Sequence, residues 1–338
     1  MNTLVCLEPG QFAYQQHPHP TAQPGQALLR IRRIGICGTD LHAFQGTQPF
    51  FNYPRVLGHE LAAELLDAGG APGFAPGEAV TFIPYFNCGH CIACRRGLPN
   101  CCASIRVFGV HMDGGMTDVV AVPADKLVHG EGLSYDELAL VEPLAIGAHG
   151  VRRAGVQPGE FVLVVGAGPI GLGVMEFARI AGGQVIALDI NEQRLAFCQQ
   201  KLGVAHTLNA LAPDVAAQLA ALTHGDMPTV VIDATGSRQA ILGAFPYLAH
   251  GGRFVLVGLQ KGDISFSHPE FHKREATLMS SRNATRADFE HVIRSVKQGL
   301  VQPTTYISHR VRFDAVKTEF EGWLDPANGV IKAMVELD

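Results

Sequence analysis

The chain has 338 residues, 47% of them hydrophobic and 17% charged, which is enough for two domains with a sizeable core in each. Its net charge of -5 offers no basic footprint, so nucleic acid and anionic membrane surfaces are not expected partners. No apolar run approaches the ~20 residues that span a bilayer, and MNTLVCLEPGQF lacks a basic segment leading into an apolar one; a cytoplasmic location without a signal peptide is expected.

The first 140 or so residues read as an all-β lobe of short strands broken by Gly and Pro, with QALLRIRRIGIC, GHELAAELLDAG and GEAVTFIPY as its clearest runs. Cys37 in GICGTDLH and the pair His59-Glu60 in GHE occupy turns before and after an apolar stretch. A thiolate, an imidazole and a carboxylate supply three ligands and leave a fourth position free, the pattern of a catalytic zinc. Thr39 and His42 are placed to pass a substrate proton to solvent, because a hydroxyl beside the reacting oxygen relays without carrying charge. Cys88, Cys91, Cys94 and Cys102 follow C-x2-C-x2-C-x7-C and fit a closed, four-thiolate structural zinc. Cys101 beside Cys102 leaves the register of the fourth ligand open. With no secretory signal, the eight cysteines read as metal ligands rather than disulfides; Cys6 and Cys198 receive no role.

Near Glu142 the texture changes. VEPLAIGAHGVRRAG has a helical pattern, and FVLVV, a glycine turn and a helix follow it. QVIALDI, VVIDATG, GRFVLVGL and ATLMSSRNA read as further strands, with helical RLAFCQQKLG between the first two. Apolar strands alternating with helices indicate a doubly wound parallel sheet. Gly166, Gly168, Pro169, Ile170 and Gly171 belong to a G-x-G-x-x-G turn between strand and helix, the seat of a dinucleotide pyrophosphate. Asp189 ends the next strand. Its carboxylate accepts from a ribose diol and repels a 2′-phosphate, so NAD rather than NADP is expected. Arg194 is a candidate for stacking on adenine. RADFEHVIRSVKQG then gives an amphipathic helix, with short mixed elements to the end.

Taken together, GICGTDLH, GHE, the four-cysteine loop and GAGPIG resemble, in order and over essentially the whole chain, the zinc-dependent medium-chain alcohol dehydrogenase family. The resemblance implies an α/β chain with a GroES-like, β-rich catalytic domain (1–143 and 284–338) and a Rossmann NAD-binding domain (144–283). It also implies two zinc ions per chain and a homodimer or homotetramer. VEPL is similar to the polyol and threonine dehydrogenase branch, in which Glu142 stands where alcohol dehydrogenases proper use cysteine. In that branch Cys37 and His59 bind the catalytic zinc, with Glu60 and Glu142 as direct or water-mediated ligands. Ala63 departs from the family's usual glycine and puts only local strand packing in question.

QPFFNYPRVLGHE, VFGVHMDGGMTDVV, PEFHKREATLMSSRNAT and IDATG are similar to the family's bacterial sugar-acid dehydrogenases, which act at C5 of L-galactonate or L-gulonate. Oxidation of a secondary alcohol of a sugar acid by hydride transfer to NAD is therefore the expected function. A sorbitol-like polyol or L-threonine dehydrogenase is the alternative, and a non-catalytic nucleotide-binding regulator on the same scaffold is the alternative of a different class. A substrate carboxylate needs a cation. Arg282 resembles the polyol-dehydrogenase arginine near the substrate, with His111 and Lys273 behind it; His272, Lys273 and Arg274 otherwise suit a subunit interface or a solvated turn.

Overall fold

The structure is a computed structural model, and it describes residues 1–49 and 51–338; Phe50, within the QPFFNYPRVLGHE segment, lies outside the described residues. The chain divides into two compact units, one of residues 1–142 and 285–338, the other of residues 143–284.

The first unit is built on a seven-stranded sheet whose central Gln26–Gly35 strand pairs antiparallel with Glu60–Asp67, with Val119–Pro123 and with the C-terminal Lys332–Glu336. Alternation sets its faces: Ala27, Leu29 and Ile31 point inward while Arg30 is exposed. Their core partners include Leu57, Leu61, Leu65, Phe320 and Trp323. Ala63 is fully buried and pairs with Ile31 and Val80, and the register between the Gln26–Gly35 and Glu60–Asp67 strands shifts directly beside it, between Ile31 and Arg33, where Arg32 is left unpaired in the ladder.

This unit is not all-β. Within its first 140 residues Gly38–Phe44, Ile92–Arg95 and Tyr135–Ala139 are helices, while Arg286–Lys297 is the amphipathic helix expected from RADFEHVIRSVKQG. The Gly38–Phe44 helix was hidden by the turn-like composition of CGTD; Asp40 starts it by accepting the Cys37 N–H at 2.9 Å, an N-terminal cap in reverse. Cys37 is therefore a helix N-cap and Glu60 the first residue of a strand, and neither sits in a plain turn.

Asp136 ties this unit's ends together, taking Arg33 Nε at 2.8 Å and Arg310 Nη2 at 2.6 Å. Burial raises its pKa, but the two guanidinium groups outweigh burial and the net shift is downward. A depressed carboxylate pKa stabilises the fold above the unfolded value and loses that contribution as pH falls through the folded one. Asp136→Asn is accordingly expected to cost about 1–2 kcal/mol at neutral pH. In urea titrations at two pH values, the deficit should shrink as the medium becomes acidic enough to protonate the native carboxylate.

The second unit is a six-stranded, wholly parallel sheet. Its spatial order is His206–Asn209, Gln184–Asp189, Phe161–Val165, Val230–Asp233, Arg253–Leu256, Thr277–Ser280. Numbered along the chain that order is 3-2-1-4-5-6, the doubly wound arrangement. Val162, Leu163, Val164, Val231 and Phe254 are fully buried, as a sheet covered on both faces requires. Helices Pro169–Ile180 and Glu192–Leu202 follow the first two strands; Asn191 caps the second of them and left-handed Gly203 ends it. The helices Val215–Leu222 and Arg238–Ala244 and the strand His206–Asn209 carried too little sequence pattern to be expected.

Candidate metal centres and dinucleotide site

In the first unit, ligand atoms of Cys37, His59 and Glu60 all lie within 4.8 Å of one another. Helix start and strand start bring them together: Cys37 opens the Gly38–Phe44 helix, and His59 immediately precedes the Glu60–Asp67 strand. Asp40 couples the two by accepting the N–H groups of Cys37 and of Gly58, the latter at 3.2 Å.

The His59 ring is 6% exposed and its Nδ1 has no hydrogen-bond partner among the described residues; Asp40 Oδ1, at 3.7 Å, is beyond hydrogen-bond reach. Burial opposes charge on this imidazole, yet Asp40, Cys37 and Glu142 outweigh it and raise its pKa well above the usual histidine range. A buried nitrogen without a partner, in a pocket whose field calls for positive charge, fits a metal cation. Thiol, imidazole and carboxylate together fit zinc.

Glu142, in the first turn of the Val141–Ala154 helix, stands outside the convergent three but shares their field. Burial is the main cause that pushes its pKa up to about 7, with the His59 charge pulling against it. Its Oε1 accepts the hydroxyl of buried Tyr85. Glu60 is held differently: Lys332 Nζ donates to both of its carboxylate oxygens. Sequence reasoning missed Tyr85 and Lys332, and quoted Asp40 only as part of a motif. A lysine inside the apolar run IKAMVEL was the one available signal for Lys332.

Thr39 and His42 lie three residues apart on the Gly38–Phe44 helix and therefore share a face, with Thr39 half-buried and His42 exposed. Thr47 Oγ1 lies 3.2 Å from His42 Nδ1 and orients the ring. His111 is exposed in this unit, and its Nδ1 accepts the Val107 N–H at 3.0 Å.

The second cluster gathers Cys88, Cys91, Cys94 and Cys102. Backbone N–H groups already point at the sulfurs: Cys91 donates to Cys88 Sγ at 3.4 Å, and Cys88 to Cys102 Sγ at 3.3 Å. Hydrogen bonds from the backbone of His90 and Cys91 lower the Cys88 pKa to about 5, and backbone hydrogen bonds also lower that of Cys91, whereas burial raises that of Cys94. The Pro99–Cys101 turn leaves Cys101 exposed and Cys102 buried, and it is Cys102 whose sulfur gathers with the other three. Cys102→Ser is expected to lose one zinc per chain, whereas Cys101→Ser retains the parent's metal content; elemental analysis of both purified variants checks this.

The glycine turn lies in the second unit. Gly166 has φ +102°, and a Cβ on Gly171 would stand 1.8 Å from Gly166 O, so the turn and the close strand–helix packing each exclude a side chain. Gly168 is the N-cap of the helix that Pro169, Ile170 and Gly171 begin. Asp189 closes the Gln184–Asp189 strand and clamps the turn, accepting Ala167 N–H at 2.6 Å and Asn191 N–H at 2.8 Å. Arg194 Nη1 lies 3.8 Å from the position a Gly168 Cβ would take, so its guanidinium covers the glycine turn. In the same unit, Arg282 is exposed just after the Thr277–Ser280 strand. Lys273 and Arg274 are ion-paired to Glu270 of the His268–Lys273 helix; Lys273 is exposed, whereas Arg274 is only partly exposed and also donates to Leu248 O at 3.1 Å.

Two metal-ligand clusters and a dinucleotide turn in one chain define a class, the zinc-dependent dehydrogenases that use a nicotinamide cofactor. The chain belongs to the zinc-type medium-chain alcohol dehydrogenase family: residues 23–132 match the alcohol dehydrogenase GroES-like domain, and residues 169–298 match the zinc-binding dehydrogenase model. It is 43% identical to L-galactonate-5-dehydrogenase of Escherichia coli K12 over 95% of this chain and 94% of that protein. Sorbitol dehydrogenase of Halalkalibacterium halodurans is 29% identical over 89% of each. Among solved structures, the NADH complex of an Escherichia coli CFT073 protein described as a short chain alcohol dehydrogenase superposes with TM-score 0.92 at 27% identity, covering 100% of this chain and 99% of that one. Among the described residues, no helix is long and apolar enough to cross a membrane.

Proposed function

We propose that the protein oxidises a secondary alcohol of a six-carbon sugar acid, at C5 of L-galactonate or L-gulonate, with NAD as hydride acceptor. The observation that carries the substrate is the 43% identity to an L-galactonate-5-dehydrogenase, sustained over 95% of the chain. NAD as cofactor is supported by Asp189 at the strand end and by the NADH bound to the structural relative.

Cys37 and His59 would hold the catalytic zinc, with Glu60 and Glu142 beside it; Cys88, Cys91, Cys94 and Cys102 would hold the structural one. When bound, the catalytic zinc supplies Lewis acidity that lowers the pKa of a substrate hydroxyl. Thr39 takes the hydroxyl proton and passes it along its helix face to exposed His42 and to water. Asp40 keeps Cys37 and His59 in register, and Tyr85 fixes the orientation of Glu142. The glycine turn seats the cofactor pyrophosphate at the N-terminus of the Pro169–Ile180 helix, where N–H groups and the helix dipole favour an anion. Arg282, with His111 second, pairs with the substrate carboxylate.

A panel of aldonates, sorbitol and threonine, read by NADH absorbance, tests the reading. Activity is expected on L-galactonate or L-gulonate and to be far weaker on the others; turnover of sorbitol with no aldonate oxidised would replace the sugar-acid assignment with the polyol one. Arg282→Ala should raise KM for the aldonate about tenfold or more, the loss of one charge-assisted pair, while altering KM for a neutral polyol little. Two zinc ions per chain together with turnover would exclude the non-catalytic regulator.

A further inference from the structure

The four-cysteine cluster is joined to the sheet by a contact that its ligand pattern does not call for. Asn87, the residue before Cys88, places its side-chain amide between Lys126 and Cys94. Lys126 Nζ donates to Asn87 Oδ1 at 2.6 Å, and Asn87 Nδ2 donates to Cys94 Sγ at 3.6 Å. The two ends of that amide are not interchangeable. An ammonium can only donate, so the oxygen must face Lys126, and the NH2 group is left facing sulfur. A donor aimed at sulfur suits a thiolate, the form that binds metal.

Lys126 itself sits in a built position. Its side chain is 14% exposed, and its carbonyl oxygen accepts the Ile83 N–H at 3.0 Å, where the Leu127–His129 strand starts its pairing with Ala79–Phe82. Arg286 grips the residues on either side, donating to Asp125 O at 2.6 Å and to Leu127 O at 2.9 Å. The Asp125 carboxylate is 3.6 Å from the ammonium and 74% exposed, so that ion pair is solvated and weak beside the contact with Asn87.

We propose that Lys126 and Asn87 are positioning residues for the four-cysteine metal: the amide orients the Cys94 sulfur, and the lysine orients the amide and brings positive charge to the site. The inference rests on the assignment of zinc to Cys88, Cys91, Cys94 and Cys102. Four thiolates around a divalent cation carry a net double negative charge, which hydrogen-bond donors and a nearby cation offset. The backbone donors to Cys88 and Cys102 come from the loop itself. The Asn87 amide differs in that its aim is set by a residue 39 positions along the chain. Outer partners of this kind typically alter metal affinity by about 10–100-fold when removed.

The test follows zinc release from full-length enzyme to a chromogenic chelator, the phase belonging to this site being the one absent in Cys102→Ser. Asn87→Asp separates positioning from simple tethering. It keeps an acceptor for Lys126, so a tether survives, yet it trades the donor facing Cys94 for a negative charge. Release of the four-cysteine zinc should quicken about tenfold or more, while the other zinc leaves at the parent's rate. With cobalt in the four-cysteine site, the sulfur-to-cobalt charge-transfer bands should move to lower energy, because a sulfur that loses its hydrogen bond holds its electrons less tightly. Lys126→Met should move both quantities in the same direction, and Lys126→Arg should bring them back toward the parent. Should Asn87→Asp fail to fold, Asn87→Ala, which removes the donor without adding charge, should show a smaller change of the same sign. Variants that lose melting temperature but keep the parent's release rate and cobalt bands overturn the proposal and leave only a tether between loop and strand. A parent whose four cysteines take no metal refutes the zinc assignment itself, a separate failure visible before any Asn87 or Lys126 variant is made.

Discussion

Cys37→Ser should lower turnover by about a thousandfold or more and leave NAD affinity within about twofold of the parent. The first figure follows from losing the thiolate anchor of a Lewis acid: several kcal/mol of transition-state stabilisation, at about 1.4 kcal/mol per decade of rate, is about three decades. The second follows from construction, since the glycine turn, Asp189 and Arg194 belong to residues 143–284 and Cys37 does not. Elemental analysis should show one zinc lost and the four-cysteine zinc retained, and NADH fluorescence titration should report the unchanged affinity. A Cys37→Ser enzyme with near-normal rates would end the assignment of catalytic zinc to this site.

A second large effect is expected where the backbone is tightest. Gly171→Ala places a methyl 1.8 Å from the carbonyl oxygen of Gly166, a backbone atom that no rotamer change can move aside. The helix must shift off the strand, at a cost of about 3 kcal/mol, and a turn so displaced should bind NAD at least about tenfold more weakly. Gly168→Ala is the informative control. Its added methyl meets nothing closer than Arg194 Nη1 at 3.8 Å, so the fold should keep its melting temperature while NAD affinity still falls, because the methyl stands where the pyrophosphate approaches. Thermal melts with and without NAD separate the two. Equal losses of stability in both variants would show that Gly168 serves packing rather than ligand approach.

Local chemistry made much of this legible from residues alone. The spacing of Cys88, Cys91 and Cys94, the glycine turn and Asp189 are short-range patterns whose geometry is fixed within about 25 residues, and the structure assembles each of them. The Gly38–Phe44 helix was not legible, because a glycine at its first position reads as a turn until Asp40 is seen to cap Cys37. Lys332 and Tyr85 were illegible for a different reason. Each reaches its acid across the fold, over 272 residues from Lys332 to Glu60 and 57 from Tyr85 to Glu142, and no local periodicity encodes such a pairing. For Cys102 over Cys101 the x7 spacing already pointed the same way as the turn, which buries one thiol and leaves the other exposed.

The strand that carries Lys332 has a consequence in time. Met334 pairs with Gly35, so the sheet that bears Cys37 and Glu60 is completed by residues translated about 300 positions later. At about 5–20 residues per second, roughly a quarter-minute to a minute of synthesis separates the two edges of that pairing. Over most of that interval the nascent chain already holds every thiol of both metal clusters while Glu60 has no lysine. The parallel sheet, encoded without interruption by residues 143–284, has its full sequence in hand well before the unit that encloses it in the chain. Until the last strand is made Glu60 lacks its lysine partner, and translation of the final seven residues supplies it.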